Sequence, residues 1–130
     1  MLIGIGAADK IVGTTFFSLN ETYLKAKIPN ARSVGTSSDL DMERVISLHP
    51  DVLILPKQYS KKSVKEKSRA ANITIIYLDC YRLSNLAADA RTLGKLTGTE
   101  KKAESYARMV EDTIALVSGR IKTVSPEDYP

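Results

Sequence analysis

Three short clusters in this 130-residue chain place aromatic, hydroxyl, amide and charged side chains directly after apolar runs that read as strands. They are Thr14-Thr15-Phe16-Phe17, Lys57-Gln58-Tyr59-Ser60 and Asp79-Cys80-Tyr81-Arg82. Aromatic faces with a few orienting polar groups suit the wall of a ligand site more than a reaction centre. The same rings also serve to cover the end of a sheet, and residue type alone leaves both roles open for Phe16 and Phe17. Other candidates for chemistry are weaker. Gly4-Ile5-Gly6 with Gly13 matches a dinucleotide fingerprint poorly, because the third glycine is misplaced and no clear strand precedes it. Asp79 ends a strand, as phosphoacceptor and ribose-binding acids do, but no carboxylate pair stands ready to hold magnesium. His49, the single histidine, lies beside Pro50 in a turn, which speaks against a histidine-dependent mechanism. A single cysteine, Cys80, excludes an internal disulfide and a cysteine zinc cluster.

The elements that must position these residues centre on Asp39 to Pro56. Asp39 and Asp41 are good helix caps, and Met42, Val45, Ile46 and Leu48 lie largely on one face of the helix that follows. Pro50 has no backbone N–H and biases His49 away from the right-handed helical region, so the helix ends near Leu48 or His49. Val52-Leu53-Ile54-Leu55 is a continuous apolar run, predicting a strand covered on both faces, and Pro56 closes it. This is the αβ half of a wound unit, in which ligands sit beyond the carboxyl ends of the strands.

Upstream, Met1 to Ala8 reads as a strand or as the tail of a helix ending at Gly6, with the helix tail preferred. Lys10 to Thr15 reads as a strand, Asn20 as the cap of a helix over Glu21 to Ala26, Ala31 to Val34 as a short strand and Gly35 to Ser38 as a loop. Downstream, Ser60 to Ala71 is helix-compatible with little more than Val64 and Ala71 to bury, and Asn72 is a left-handed C-terminal cap. Ile73 to Leu78 is the second strand, neighbouring and parallel to Val52–Leu55. Ser84 caps a helix that ends at Gly98. From Thr99, Ala103, Tyr106, Ala107, Val110, Ile114, Val117 and Ile121 recur at helical spacing over about 24 residues, or roughly 36 Å.

Composition restricts the choices further. Nineteen basic against fifteen acidic residues give a net charge of +4, too modest and mixed to demand a polyanionic partner. Lys57 to Arg69 holds six basic residues and one acid; such a run usually forms a solvated helix face, with an anionic ligand as the other reading. Past Tyr59 it has no aromatics interleaved with the basic residues, which speaks against nucleic acid. No apolar run approaches the roughly 20 residues of a membrane span, and the first residues lack the pattern of a signal peptide, so an export signal is expected outside this sequence.

IGAADKIVGTT, IPNARSVGTSSDLDMERVISLHPDVLIL, NITIIYLD and LGKLTGTEKKAESYARMV together resemble the N-terminal lobe of class III periplasmic binding proteins. These are the substrate-binding components of ABC importers for iron-siderophores, haem and cobalamin. The resemblance covers nearly the whole chain. It implies a three-layer, Rossmann-like α/β lobe with a mainly parallel sheet flanked by helices and a long C-terminal connecting helix. It implies a lobe over residues 1–98 whose first βα unit is missing or truncated, an inter-lobe helix over 99–124 and a linker over 125–130 towards a second lobe. The implied ligand edge comprises Thr15, Phe16, Phe17, Ser37, Ser38, Gln58, Tyr59, Tyr81 and Arg82, and Glu43 matches the family's glutamate that docks on the membrane permease. The implied protein is a non-enzymatic, extracytoplasmic carrier with no cofactor. Asn72 departs from the family's usual glycine. The competing reading is a small cytoplasmic α/β enzyme or nucleotide-binding domain, against which stand the missing phosphate loop, metal cluster and nucleophile–base pair.

Overall fold

A computed structural model describes residues 1–123. Its contacts divide the chain into two units, one made of Leu2 and Gly6–Asp79 and the other of Met1, Ile3–Ile5 and the chain from Cys80 onward. The expected linker over 125–130 lies outside the described residues.

The first unit is wound α/β. Strand β1 (Gly13–Thr14) leads into α1 (Phe16–Asn20) and α2 (Thr22–Lys27), then β2 (Arg32–Ser33), α3 (Met42–Ser47), β3 (Val52–Leu55), α4 (Lys62–Ala70) and β4 (Thr74–Tyr77). β1 pairs with β2 and β3 with β4, both in parallel, so the hydrogen bonds make two strand pairs. The β3–β4 register sets Leu53 opposite Ile75 and Leu55 opposite Tyr77. This is the expected parallel neighbourhood, connected through α4.

Several expectations shift in detail. The first predicted strand keeps only Gly13–Thr14, because Ala8–Lys10 forms a 3-10 turn and Phe16 already starts a helix. The cap of α2 is Glu21, not Asn20, which α1 has taken up. Met1 to Ala7 closes as a helix tail would: the Ala7 N–H donates to the Leu2 carbonyl at 2.9 Å and Gly6 has φ 81°, the six-to-one bond of a left-handed C-terminal cap. α4 begins after Lys61 with no side-chain cap, so Ser60 is not its first residue.

The core of this unit lies under α3 and α4. Val34, Met42, Val45, Val64 and Ile73 are buried together, and Leu53 and Ile75 pack against them. Alternation turns Val52, Ile54 and Ile76 to the opposite strand face, where each stays partly accessible. Leu53 and Ile75 on the first face are likewise half-buried, so the strands are partly covered on both faces. α3 is capped by Asp41, whose carboxylate accepts the Arg44 N–H at 3.1 Å. It stops where His49 takes φ 51° ahead of Pro50, since a following proline disfavours the right-handed helical region. α4 ends at Asn72 (φ 58°), with the Ile73 N–H on the Ser68 carbonyl and the Asn72 N–H on the Arg69 carbonyl; asparagine is doing there what glycine more often does. Ser68 is 1% exposed, and its hydroxyl has no partner among the described residues.

The second unit is a helical hairpin of α5 (Leu86–Thr97) and α6 (Glu100–Thr123). Asn85 holds the cap position of α5 in place of the expected Ser84. Gly98, at φ 70°, turns the chain, and the Thr99 N–H reaches back to the Gly94 carbonyl at 2.9 Å. The helices bury Ala90, Leu93, Gly94, Ala103, Ala107 and Val110, and they approach closely where a Cβ added at Gly94 would overlap that of Ala103. Arg91 spans the hairpin, donating to Glu104 through Nε at 2.8 Å and to Glu111 through Nη1 at 2.7 Å. Farther along α6 the predicted apolar stripe continues, but Val117 and Ile121 are exposed.

Candidate functional site

Within the wound unit the segments after β1, β2 and β3 and the end of β4 are tied together by hydrogen bonds. The Phe16 N–H donates to the Gly35 carbonyl at 2.9 Å, linking the first loop to the second. Lys61 Nζ donates to the Ser38 carbonyl at 2.8 Å, linking the second to the start of α4. Ser60 Oγ and the Tyr77 hydroxyl share a hydrogen bond of 2.6 Å, linking the third to the end of β4. In a parallel wound unit all these residues lie at the carboxyl ends of strands, the edge at which such folds bind ligands.

The second loop is shaped by its own backbone. Gly35 has φ 94°, and a Cβ there would come 2.5 Å from the Asp39 carbonyl oxygen, so the close turn requires glycine. The Thr36 N–H bonds the Asp39 carbonyl at 3.0 Å, and the Asp39 N–H bonds Thr36 Oγ1 at 3.1 Å. Ser37 and Ser38 are thereby held at an exposed tip.

Phe16 and Phe17 are 51% and 69% exposed. Their rings meet edge to face, with centroids 6.1 Å apart and planes at 70°. Rings that covered a sheet end would be buried; these offer apolar area to solvent. Thr15 is half-buried beside them, its hydroxyl 3.3 Å from Ser18 Oγ. Gln58 is exposed and Tyr59 half-buried on the 3-10 turn Lys57–Tyr59, which Pro56 introduces. The edge thus offers π faces, hydroxyls, an amide and the ammonium groups of Lys57 and Lys61. Such a set can bind and orient a ligand by stacking and hydrogen bonding. Among the described residues no group of three or more His, Cys, Asp and Glu is placed to hold a metal ion.

Of the residues singled out from sequence, Thr15, Phe16, Phe17, Ser37, Ser38, Gln58 and Tyr59 all lie on these loops. Tyr81 and Arg82 belong to the helical unit, where the Arg82 carbonyl accepts the Asn85 and Leu86 N–H groups at 2.9 and 3.1 Å and so starts α5. Glu43 stands apart from the loops' side chains in the first turn of α3, exposed. Its neighbour Arg44 is engaged by Asp41 at 3.3 Å, whereas Glu43 makes no ion pair among the described residues. Sequence reasoning placed Ser60 in its cluster without a partner and missed the tethers Lys61 and Tyr77. Tyr77 did carry a signal: an aromatic hydroxyl at a strand's carboxyl end needs a partner there.

In the helical unit the guanidinium of Arg91, with that of Arg108 at 3.0 Å, holds the Glu104 carboxyl down at about 2 and lowers Glu111 as well. The two carboxylates in turn raise Arg91. This network sets hairpin geometry and carries no ligand-binding feature of its own.

Comparison with known proteins gives this arrangement a context. The ABC transporter substrate-binding lipoprotein YvrC of Bacillus subtilis is 27% identical over 127 residues, 95% of this chain and 39% of its own length. The petrobactin-binding protein YclQ of the same organism is 27% identical over 112 residues, 85% of this chain and 35% of its own. The chain thus spans well under half the length of these relatives. The crystal structure of the periplasmic vitamin B12 binding protein BtuF of Vibrio cholerae superposes with a TM-score of 0.78 at 16% identity, over 96% of this chain and 48% of that one. That likeness shows the fold, parallel strands flanked by helices. The profile of the periplasmic binding protein family matches residues 1–128, nearly the entire sequence, and by that match the chain belongs to this family.

Proposed function

We propose that this chain forms one ligand-binding wall of the substrate-binding component of an ABC importer, which captures a metal chelate outside the cytoplasm and hands it to a membrane permease. The observation that carries the reading is the set of strand-end loops tied edge to edge, with Phe16 and Phe17 exposed on them. The names of the relatives support it, since one is an ABC transporter substrate-binding lipoprotein and the other a petrobactin-binding protein. An iron-siderophore, haem or cobalamin ligand would lie against Phe16 and Phe17, with Thr15, Ser37, Ser38, Gln58 and Tyr59 orienting its polar rim. For Tyr81 and Arg82 the same role rests on their place in sequence after β4. Glu43 is proposed as the docking acid: a carboxylate in a first helical turn is stabilised by the helix dipole and is well suited to a guanidinium. The enzyme alternative is not favoured.

Calorimetric titration with ferric siderophores, haem and cobalamin tests the ligand wall. One of these classes should bind this chain weakly and saturably and the full-length protein tightly, and Phe17→Ala should weaken both. Tight binding by this chain alone would overturn the shared cleft, and indifference to Phe17→Ala would remove the wall. Glu43→Ala in the full-length protein should leave ligand affinity and thermal stability intact while lowering transport through the cognate permease in vesicles. An exposed pair is worth roughly 0 to 1 kcal/mol, but losing one partner of a pair desolvated on docking costs about 2 to 5.

A further inference from the structure

The basic run over α4 is more one-sided in the structure than its composition implies. Lys62, Lys65 and Arg69 fall at i, i+3 and i+7, one face of the helix, and all three are exposed. Val64 and Ser68 form the buried face. Among the described residues only Glu66 answers the stripe, at 3.7 Å from Lys62 in a pair whose side chains are 89% and 66% exposed. Lys65, Lys67 and Arg69 make no ion pair among the described residues. In the helical hairpin Arg91 and Arg108 are paired with glutamates on α6, while the exposed Lys95, Lys101 and Lys102 make no ion pair among the described residues and lie on α5 and α6 rather than on the α4 stripe.

The shape of the stripe selects the partner. It runs along a convex helix for about 10 Å at 1.5 Å per residue, so its cations do not converge on a small anion. It has no aromatic side chain on which a nucleic-acid base could stack. An extended array of phosphates fits both facts. The apolar face of α4 is spent on the core, so the helix has nothing to insert into a bilayer and would meet it at headgroup level only. At its start, Lys61 holds the Ser38 carbonyl on the loop that leads into the α3 cap Asp41. The stripe therefore begins beside the segment that carries Glu43.

We propose that Lys62, Lys65 and Arg69 of α4 form a membrane-contact surface that binds anionic lipid headgroups through charge alone. This rests on the importer reading only for why a membrane is met, and vesicles lacking any permease test it separately. Each basic residue near an anionic surface strengthens binding roughly fivefold, and three of them on the order of a hundredfold.

Co-sedimentation of the chain with phosphatidylglycerol–phosphatidylcholine vesicles, against phosphatidylcholine alone, reads the effect directly. Binding is expected only to the anionic vesicles and should vanish in about 1 M salt, where screening acts within roughly 3 Å. The K62E/K65E/R69E variant should abolish it and K62Q/K65Q/R69Q should lower it on the order of a hundredfold, the second variant serving where charge reversal disturbs folding. The control K95E/K101E/K102E, with the same change in net charge, should bind as the parent does. Equal loss in the control would show an unlocalised effect of net charge and overturn the proposal. So would absence of binding to anionic vesicles, or tighter binding to polyphosphate or single-stranded DNA than to vesicles.

Discussion

In the unit from Gly6 to Asp79, five buried apolar side chains pack α3 and α4 on a pair of parallel strands. In the hairpin of α5 and α6, Gly94 meets Ala103 at a close approach beside the buried Leu93 and Val110, with Arg91 bridging two glutamates at the margin. The first unit depends on volume filled, the second on volume left out. A core filled by large side chains holds its frame while the loops at its edge vary, and the strand-end loops carry the proposed ligand residues. A contact made by small residues fixes the distance between two helices and tolerates little change.

The largest expected effect breaks the filled core. Met42→Ala, at a site 5% exposed, should destabilise by about 2–5 kcal/mol through lost transfer energy and the cavity left behind. Hydrogen exchange should show the loss at the amides of α3 and α4, and an equal loss across α5 and α6 would mean the two units unfold as one. Gly94→Ala is the counterpart in the hairpin. It adds one methyl where Ala103 already sits and should cost about 1–3 kcal/mol as overpacking, despite alanine's better helix propensity. A neutral result in thermal denaturation would show that the hairpin can separate freely.

Ser68→Ala should have the opposite sign. It removes a buried hydroxyl without a partner and should raise stability by about 1 kcal/mol, measured by denaturant midpoint at unchanged slope. The smallest effect concerns acid. The Glu104 carboxyl is held at about 2 in the folded chain against an ordinary 4.5, chiefly by its hydrogen bonds to Arg91 and then Arg108. Between those values the unfolded state takes up the proton first, so the contribution of Glu104 is full above pH 4.5 and disappears as pH falls toward 2. Glu104→Gln should flatten stability against pH in that window only, with the effect fading in salt because the groups are solvent-reachable.

Much of the frame was legible in the linear chain. Asp41 as cap, the stop at His49-Pro50, and Asn72 and Gly98 in left-handed conformations all follow from local signals. Each acts within a few residues, through a missing N–H, a restricted φ or a capping oxygen, and needs no distant partner. How completely the strands are covered was not legible: Leu53 and Ile75 on one face and Val52, Ile54 and Ile76 on the other are all half-buried, and an apolar run states what a strand prefers to touch and not what is present to cover it.

For the candidate site, the sequence alone determined which side chains follow which strands, since a parallel wound unit sends every strand's carboxyl end to the same edge. Only the tertiary structure decided how those loops are held: Lys61 on Ser38 across 23 residues and Ser60 on Tyr77 across 17. The same is true of Arg91, whose partners lie 13 and 20 residues away on another helix. Such bonds leave no periodicity in the sequence. They form only after the core has brought the ends of separate elements within about 3 Å, and many residue types at those positions could be satisfied by water instead.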